Sequence, residues 1–107
     1  YWDSEIKRAQ MDGVPDFPVF TTKSATDISY ICCASQLLNM TDRIYPQFAT
    51  HNAHSVAAIL EMAGNKQDFE FQRLHGMGET LHDALLRNEK VRSRIYAPVG
   101  KHRELLA

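Results

Sequence analysis

The chain has 107 residues, a formal net charge of -1 at pH 7, 44% hydrophobic residues and 23% charged residues. These totals are typical of one soluble globular domain, and they offer no positive excess that would favour nucleic-acid binding. No apolar run approaches the roughly 20 residues of a membrane helix, and residues 1–5 have neither the basic start nor the apolar core of a signal peptide.

The first third of the chain predicts two helices separated by a loop. Asp3 or Ser4 can cap a helix from Glu5 to about Met11, which the Asp-Gly pair at 12–13 ends before a loop with two prolines. A second helix is predicted from a cap at Ser24 or Thr26 through about Met40.

The second helix contains two adjacent cysteines. Ile28, Ile31, Cys32 and Leu38 fall near one helical face, so we expect Cys32 and Cys33 to be buried small apolar side chains. Neighbouring cysteines would strain a disulfide, and free thiols favour a reducing compartment such as the cytoplasm.

The spacing of the apolar residues along the sequence changes after residue 44. Gln47 to Thr50 predicts a short strand, and Asn52 can cap a following helix that ends at Gly64. Apolar residues recur in this helix at helical spacing, at Val56, Ile59, Leu60 and Ala63.

Two further strand–helix units follow. Residues 69–74 predict a second strand, two glycines at 76 and 78 turn the chain, and residues 80–87 predict a helix with Leu81, Ala84 and Leu85 inward. Residues 94–97 predict a third strand, and a last helix begins near His102.

This alternation predicts an α/β fold built of parallel β/α units. A complete (βα)8 barrel needs about 250 residues, so we expect a partial TIM-like barrel of about three consecutive units and no second domain. A doubly wound sheet of three or four strands is the alternative. The chain has no initiator Met and its last helix has no stop signal, so it is expected to be a piece of a larger fold.

Polar side chains follow each predicted strand. They are Thr50-His51-Asn52, Arg73-Leu74-His75 and Tyr96-Ala97-Pro98. Because chemistry in β/α folds lies at the carboxyl ends of the strands, these ends predict a rim suited to a polar, planar ligand.

Each of these residues also has a structural interpretation. Asn52 is more simply a helix N-cap, and Thr50 an ordinary strand residue. His51 and His54 lack a nearby Cys or carboxylate at a usual metal spacing, so no metal site is predicted. The remaining histidines, His75, His82 and His102, are predicted to lie in loops or on the surface.

Two other features stay open. Residues 76–79 could form a phosphate loop, although they lack the full glycine spacing and its lysine, so a plain turn is the preferred interpretation. Trp2 could belong to the core or stack on a ring. No catalytic triad can be assembled, so no catalytic residue is assigned.

Four segments carry a resemblance that spans essentially the whole chain in collinear order. They are YWDSEIKRAQ (1–10), IYPQFATHNAH (44–54), FEFQRLHGMGE (69–79) and RIYAPVGKHRELLA (94–107). The chain closely resembles the proline dehydrogenase domain of the bacterial bifunctional proline utilization A flavoenzymes.

The resemblance implies a distorted βα-barrel that binds FAD and oxidises L-proline to Δ1-pyrroline-5-carboxylate, the first step toward glutamate. It implies hydride transfer to the flavin and a quinone as electron acceptor. NAD would serve only a separate aldehyde dehydrogenase domain. The implied location is the cytoplasm, with possible peripheral association with the inner membrane.

The resemblance also implies roles for nine residues. Thr50, His51, Asn52, Gln72, Trp2 and Lys23 would contact the cofactor, Lys23 toward the FAD phosphates. Leu74, Tyr96 and Tyr1 would contact proline. Relatives tend to carry Arg-Lys where this chain has Thr22-Lys23, so one positive charge toward the phosphates would be missing.

The arginine pair that holds the substrate carboxylate in this family would follow residue 107. The isolated chain is therefore expected to be inactive. Two alternatives stand beside this interpretation: a non-catalytic, self-associating fragment without flavin, and an unrelated β/α protein that binds another planar ligand.

Overall fold

The structure, a computed structural model, describes residues 1–106, with side chains through residue 104. These residues contain the helices α1 (Trp2–Met11), α2 (Lys23–Leu38), α3 (Ala53–Ala63), α4 (Glu79–Ala84) and α5 (His102–Leu106). They also contain the strands β1 (Gln47–Ala49), β2 (Glu70–Leu74) and β3 (Arg92–Tyr96), and a π-helical turn at Leu85–Glu89. The chain forms two compact units, Tyr1–Cys33 and Ala34–Ala107.

The first unit starts with α1 three residues before the predicted start. Tyr1 is its N-cap and makes no side-chain cap bond, while Asp3 and Glu5 lie in the first turn. Acidic side chains favour the positive end of the helix dipole from inside the first turn as well as from the cap. The predicted end is confirmed, since Asp12 is the C-cap and Gly13 has φ +64°.

The loop after α1 is fastened by a tryptophan. The indole Nε1–H of Trp2 donates to the Phe20 carbonyl at 2.8 Å. The next helix begins at Lys23, where Thr22 Oγ1 accepts from the Ala25 amide at 3.4 Å. The predicted caps at Ser24 and Thr26 are therefore wrong, because both residues already lie inside α2.

The buried thiols predicted in α2 are also wrong. Cys32 and Cys33 are both exposed, and Ile28 is 66% exposed. The buried residues of this helix are Ala34 and Leu38, in its second-unit part. They are four residues apart and form a narrow stripe that leaves the two thiols outside.

The second unit is organised around a sheet with strand order β1-β2-β3, parallel throughout. Phe48 pairs with Phe71, which pairs with Ser93, and in the next row Ala49 pairs with Gln72, which pairs with Arg94. Because side chains alternate across a strand, the first row faces one side of the sheet and the second row the other.

The apolar side of the sheet forms an aromatic core. Phe48, Phe69 and Phe71 are at most 3% exposed, and their ring centroids lie 5.7–6.2 Å apart. Helix α3 contributes a buried stripe of Val56, Ile59 and Ala63. Its predicted caps are confirmed: Asn52 accepts at the start, and Gly64 ends the helix with φ +57°.

Helix α4 buries a different face from the one predicted. Leu85 is 4% exposed as expected, but Ala84 is exposed and His82 is only 1% exposed. Turning His82 inward is possible because both ring nitrogens find partners, which offsets the cost of removing them from water. The prediction of a surface His82 is therefore wrong.

An α/β fold with three parallel strands is confirmed. Within the described residues, no helix is long and apolar enough to cross a membrane.

Candidate functional site

The carboxyl ends of the three strands meet at one edge of the sheet. The Thr50 amide donates to the Gln72 carbonyl at 3.2 Å, which joins β1 to β2. The His75 amide donates to the Tyr96 carbonyl at 2.8 Å, which joins β2 to β3. We call this edge the strand-end rim; its predicted members are Thr50, His51, Asn52, Gln72, Leu74 and Tyr96.

Thr50 and Asn52 fold the chain locally. Thr50 Oγ1 accepts from the Asn52 amide at 3.1 Å, and Asn52 Oδ1 accepts from the amides of His54 and Ser55 at 2.9 and 3.3 Å. The cap role of Asn52 is thus confirmed. The Thr50 hydroxyl proton and the Asn52 NH₂ group remain chemically able to donate to a ligand.

His51 has a fixed tautomer. Its Nε2 accepts the Leu74 amide proton at 2.9 Å. An acceptor nitrogen carries no proton, so the neutral ring holds its proton on Nδ1. The half-buried His51 therefore presents Nδ1–H as a donor.

A glycine lies against the His51 ring. A Cβ at Gly78 would come within 3.0 Å of His51 Cδ2, and Gly78 has φ +66°. The turn at 76–79 therefore needs glycine at 78 for both backbone conformation and space. The packing of Gly78 against His51 is a structural role, which agrees with the interpretation of residues 76–79 as a plain turn.

Gln72 belongs to a polar group on the open side of the sheet. Arg94 Nε and Nη2 donate to the Glu70 carboxylate at 2.6 and 2.9 Å, and Gln72 Nε2 donates to it at 3.3 Å. The hydrogen bond from Arg94 is the main reason that the pKa of Glu70 falls to about 2, although burial of its carboxylate opposes the shift. The anchored Gln72 amide leaves its carbonyl oxygen as an acceptor.

Leu74 and Tyr96 are register partners across β2 and β3. Leu74 is half-buried, and Tyr96 is 42% exposed. Together they place an aliphatic surface beside a phenol on the same side of the sheet as Gln72, an arrangement that can pack against a small ring.

The other three predicted contacts lie in the first unit. Tyr1 is fully exposed and Trp2 is 50% exposed. Lys23 Nζ pairs with Asp27 at 2.9 Å on the surface of α2. Their roles stay predictions.

Among the residues that the structure describes, no group of three or more His, Cys, Asp or Glu side chains is arranged to hold a metal ion.

Comparison with known proteins adds the decisive observation. The sequence profile described as proline dehydrogenase matches residues 1–107, the whole chain. The chain belongs to the proline dehydrogenase family. This membership confirms the resemblance found in the four collinear segments.

Curated family relatives are bifunctional PutA proteins. The chain is 55% identical over 115 aligned positions to that of Escherichia coli K12, and 53% identical over 113 positions to that of Rhizobium meliloti. Each match covers 100% of this chain and 9% of the relative. The chain thus spans about a tenth of the length of these relatives.

Solved structures give the same picture. A crystal structure of bifunctional proline utilization A superposes with a TM-score of 0.90 at 58% identity, covering 99% of this chain and 11% of that one. A structure of proline utilization A with proline bound in remote sites gives a TM-score of 0.91 with the same identity and coverage.

Sequence reasoning missed several residues of this proline dehydrogenase segment. Glu70 and Arg94 form the ion pair beside Gln72, and His82 bridges Thr50 and Ser93. The alternation in β2 places Glu70 and Gln72 on one side, a signal available in the sequence. The sequence does not show which strand pairs with β2 or in which register, because both depend on long-range pairing.

Proposed function

We propose that this chain is one wall of the FAD-binding barrel of a proline dehydrogenase. The observation that carries the proposal is the family match over all 107 residues. The parallel order β1-β2-β3 supports a contiguous part of a (βα)8 barrel, since barrel strands pair in chain order. Residues 1–107 then form one segment of that barrel.

The chemistry of the strand-end rim fits a flavin. An isoalloxazine ring offers carbonyl oxygens and ring nitrogens, which need both donors and acceptors. The rim supplies His51 Nδ1–H and the Thr50 hydroxyl as donors and the Gln72 carbonyl as an acceptor. His51 is held by a backbone amide and by the Gly78 turn, so its donor direction is set in advance.

The proposed proline contacts come from the register pair Leu74 and Tyr96, which lies beside Gln72 on the same side of the sheet. Leu74 packs against the pyrrolidine ring and Tyr96 places its hydroxyl beside the substrate, while Tyr1 adds an aromatic contact. FAD, when bound, would supply the oxidising power for removing a hydride from the proline carbon next to nitrogen, with a quinone as the final electron acceptor. The resemblance also assigns Trp2 and Lys23 of the first unit to FAD, Lys23 toward the phosphates.

Orientation of the substrate needs more than this segment. A carboxylate is positioned best by bidentate arginines, and the resemblance puts that pair beyond residue 107. We therefore propose that the isolated chain does not turn proline over. The product Δ1-pyrroline-5-carboxylate passes to a separate NAD-dependent domain, in a cytoplasmic protein that associates peripherally with the inner membrane.

A visible absorption spectrum tests flavin binding by this segment. The chain is incubated with FAD and dialysed. A retained flavin band would show that this segment binds FAD without the rest of the barrel. A colourless chain would favour the second candidate, a self-associating fragment, which is supported by the exposure of Ile95 and Tyr96 on the edge strand β3. Sedimentation would then reveal oligomers.

Activity is tested by placing this segment in the E. coli relative. We expect the chimera to oxidise proline and to lose flavin when His51→Ala is introduced. His54→Ala is the matched control, because the His54 side chain is exposed and only its amide is used. Tyr96→Phe should raise KM for proline, and an unchanged KM would remove Tyr96 from the substrate site.

A further inference from the structure

His82 is a buried titratable residue that the proposed function leaves without a role. Its side chain is on α4 and is 1% exposed. One ring nitrogen, Nδ1, lies 2.6 Å from Ser93 Oγ on β3, and the other, Nε2, lies 3.0 Å from the Thr50 carbonyl oxygen after β1. The ring also packs edge-on against Phe71 of β2, with centroids 6.5 Å apart. A single imidazole therefore contacts β2, β3 and the residue that follows β1.

Hydrogen-bond chemistry assigns the tautomer of His82. A carbonyl oxygen only accepts, so His82 Nε2 carries the proton and donates to Thr50. In the neutral ring Nδ1 then accepts from the Ser93 hydroxyl. His51 has the opposite arrangement, because its Nε2 accepts from Leu74. The centroids of the two rings lie 6.4 Å apart.

The contact to Thr50 fixes a whole peptide plane. The Thr50 carbonyl and the His51 amide belong to one planar unit. The Thr50 amide is already bound to the Gln72 carbonyl at 3.2 Å. Because both its amide and its carbonyl are hydrogen-bonded, rotation of the Thr50 backbone is restricted, and so is the direction in which the chain enters His51.

We propose that His82 is a positioning residue: through the Thr50 carbonyl it sets the Thr50–His51 peptide and so aims His51 toward the flavin. The aim toward flavin rests on the proposed function, whereas the anchoring of the peptide stands on the geometry alone. Ser93 is part of the device, because its hydroxyl holds the ring in the orientation that points Nε2 at Thr50.

Two substitutions separate the two ends of the ring. In His82→Gln the longer amide reaches the position of Nε2 and keeps a donor for Thr50. In His82→Asn the shorter amide reaches only the position of Nδ1, beside Ser93, and leaves the Thr50 carbonyl without its donor. Both substitutions remove the ring, so they share the loss of packing. They differ in whether a donor to the Thr50 carbonyl remains.

The first measurement needs no flavin. The Leu74 amide donates to His51, so its hydrogen exchange in the full chain reports how firmly His51 is held. We expect His82→Asn to speed this exchange by about tenfold relative to amides inside α3, and His82→Gln to leave it within about twofold. Equal changes in the two variants would overturn the proposal in favour of simple packing.

The unsubstituted chain provides a check that does not depend on the variants folding. A long-range ¹H–¹⁵N spectrum of the histidine rings should show His82 with its proton on Nε2. A proton on Nδ1 alone would overturn the proposal directly. Ser93→Ala, which keeps the ring, should speed Leu74 exchange less than His82→Asn does.

The second measurement tests the link to flavin, in the chimera with the E. coli relative. The apparent Kd for FAD should rise about tenfold with His82→Asn and stay near the parent value with His82→Gln. Unchanged affinity in both would overturn the aim toward flavin. A chimera that holds no flavin before any substitution would instead contradict the proposed function, while the exchange and tautomer results would still decide the anchoring.

Discussion

The two sides of the sheet are stabilised in different ways, although the same three strands build both. On one side three phenylalanines pack edge to face and are almost completely buried. On the other, Glu70 is 2% exposed beneath Arg94, which is 63% exposed. The apolar side is held by contact area and the polar side by the matching of charges. The proposed cofactor and substrate contacts lie where the polar side reaches the strand-end rim.

The largest expected effect comes from removing an aromatic ring on the apolar side. Phe71→Ala should destabilise the chain by about 3–5 kcal/mol, because a fully buried ring leaves a cavity that the packed neighbours cannot fill. Urea unfolding measures the change. Phe20→Ala is the matched control, with a ring 53% exposed, and should cost far less. Equal losses would mean that the aromatic core does not dominate the stability of the chain.

The polar side should appear in the pH dependence of stability. The folded pKa of Glu70 lies near 2, below its usual value of 4.5. The ionised Glu70 therefore stabilises the fold fully above pH 4.5, and this contribution is lost as the pH falls toward 2. Glu70→Gln should lower the Tm by about 5 °C at pH 7 and flatten the acid limb.

Glu61→Gln provides the control for that experiment, since Glu61 is exposed on α3. It should leave both the Tm and the acid limb nearly unchanged. If Glu70→Gln kept the same acid limb as the unsubstituted chain, the stability of the polar side would not depend on this ion pair.

A smaller effect is expected where the two sides meet at the rim. Gly78→Ala should cost about 2 kcal/mol, from a side chain at positive φ and from crowding against His51. Gly76→Ala shares the positive φ but meets no atom within 4 Å. The difference between these variants in urea unfolding isolates the contact with His51, and no difference would show that His51 can move away.

The smallest effect concerns the cap beside His51. Asn52→Ala should destabilise the chain by about 1 kcal/mol, because two amides at the start of α3 lose their acceptor. Thermal unfolding measures the loss, with the exposed Asn39→Ala as control. A cost near zero would indicate that water replaces the Asn52 oxygen at no penalty.

The sequence predicted local features well where the signal was local. The Asn52 cap, the Gly64 stop and the apolar spacing in α3 each depend on residues within a few positions, and each is confirmed. Strand positions followed from the short runs at 47–50, 69–74 and 94–97, and only their ends moved.

Predictions failed where distant partners decide the outcome. His82 looks like a surface residue beside acidic and small neighbours, yet partners 32 and 11 positions away make its burial favourable. The Glu70–Arg94 pair spans 24 positions and depends on strand register. Cys32 and Cys33 read as apolar, but the buried stripe of α2 runs through Ala34 and Leu38. The roles of Thr50, His51 and Gln72 toward FAD stay predictions, although the rim that gathers them is observed.

The hydrogen bond of Trp2 to Phe20 has a practical consequence for all of these measurements. Trp2 is the single tryptophan of the chain and belongs to the Tyr1–Cys33 unit. Its fluorescence is therefore a local probe of that unit, and far-ultraviolet circular dichroism will report the helices of both. If the two signals change at different urea concentrations, the chain does not unfold in one cooperative step. The emission of a single indole can thus show whether the loop at Phe20 loosens before the sheet does.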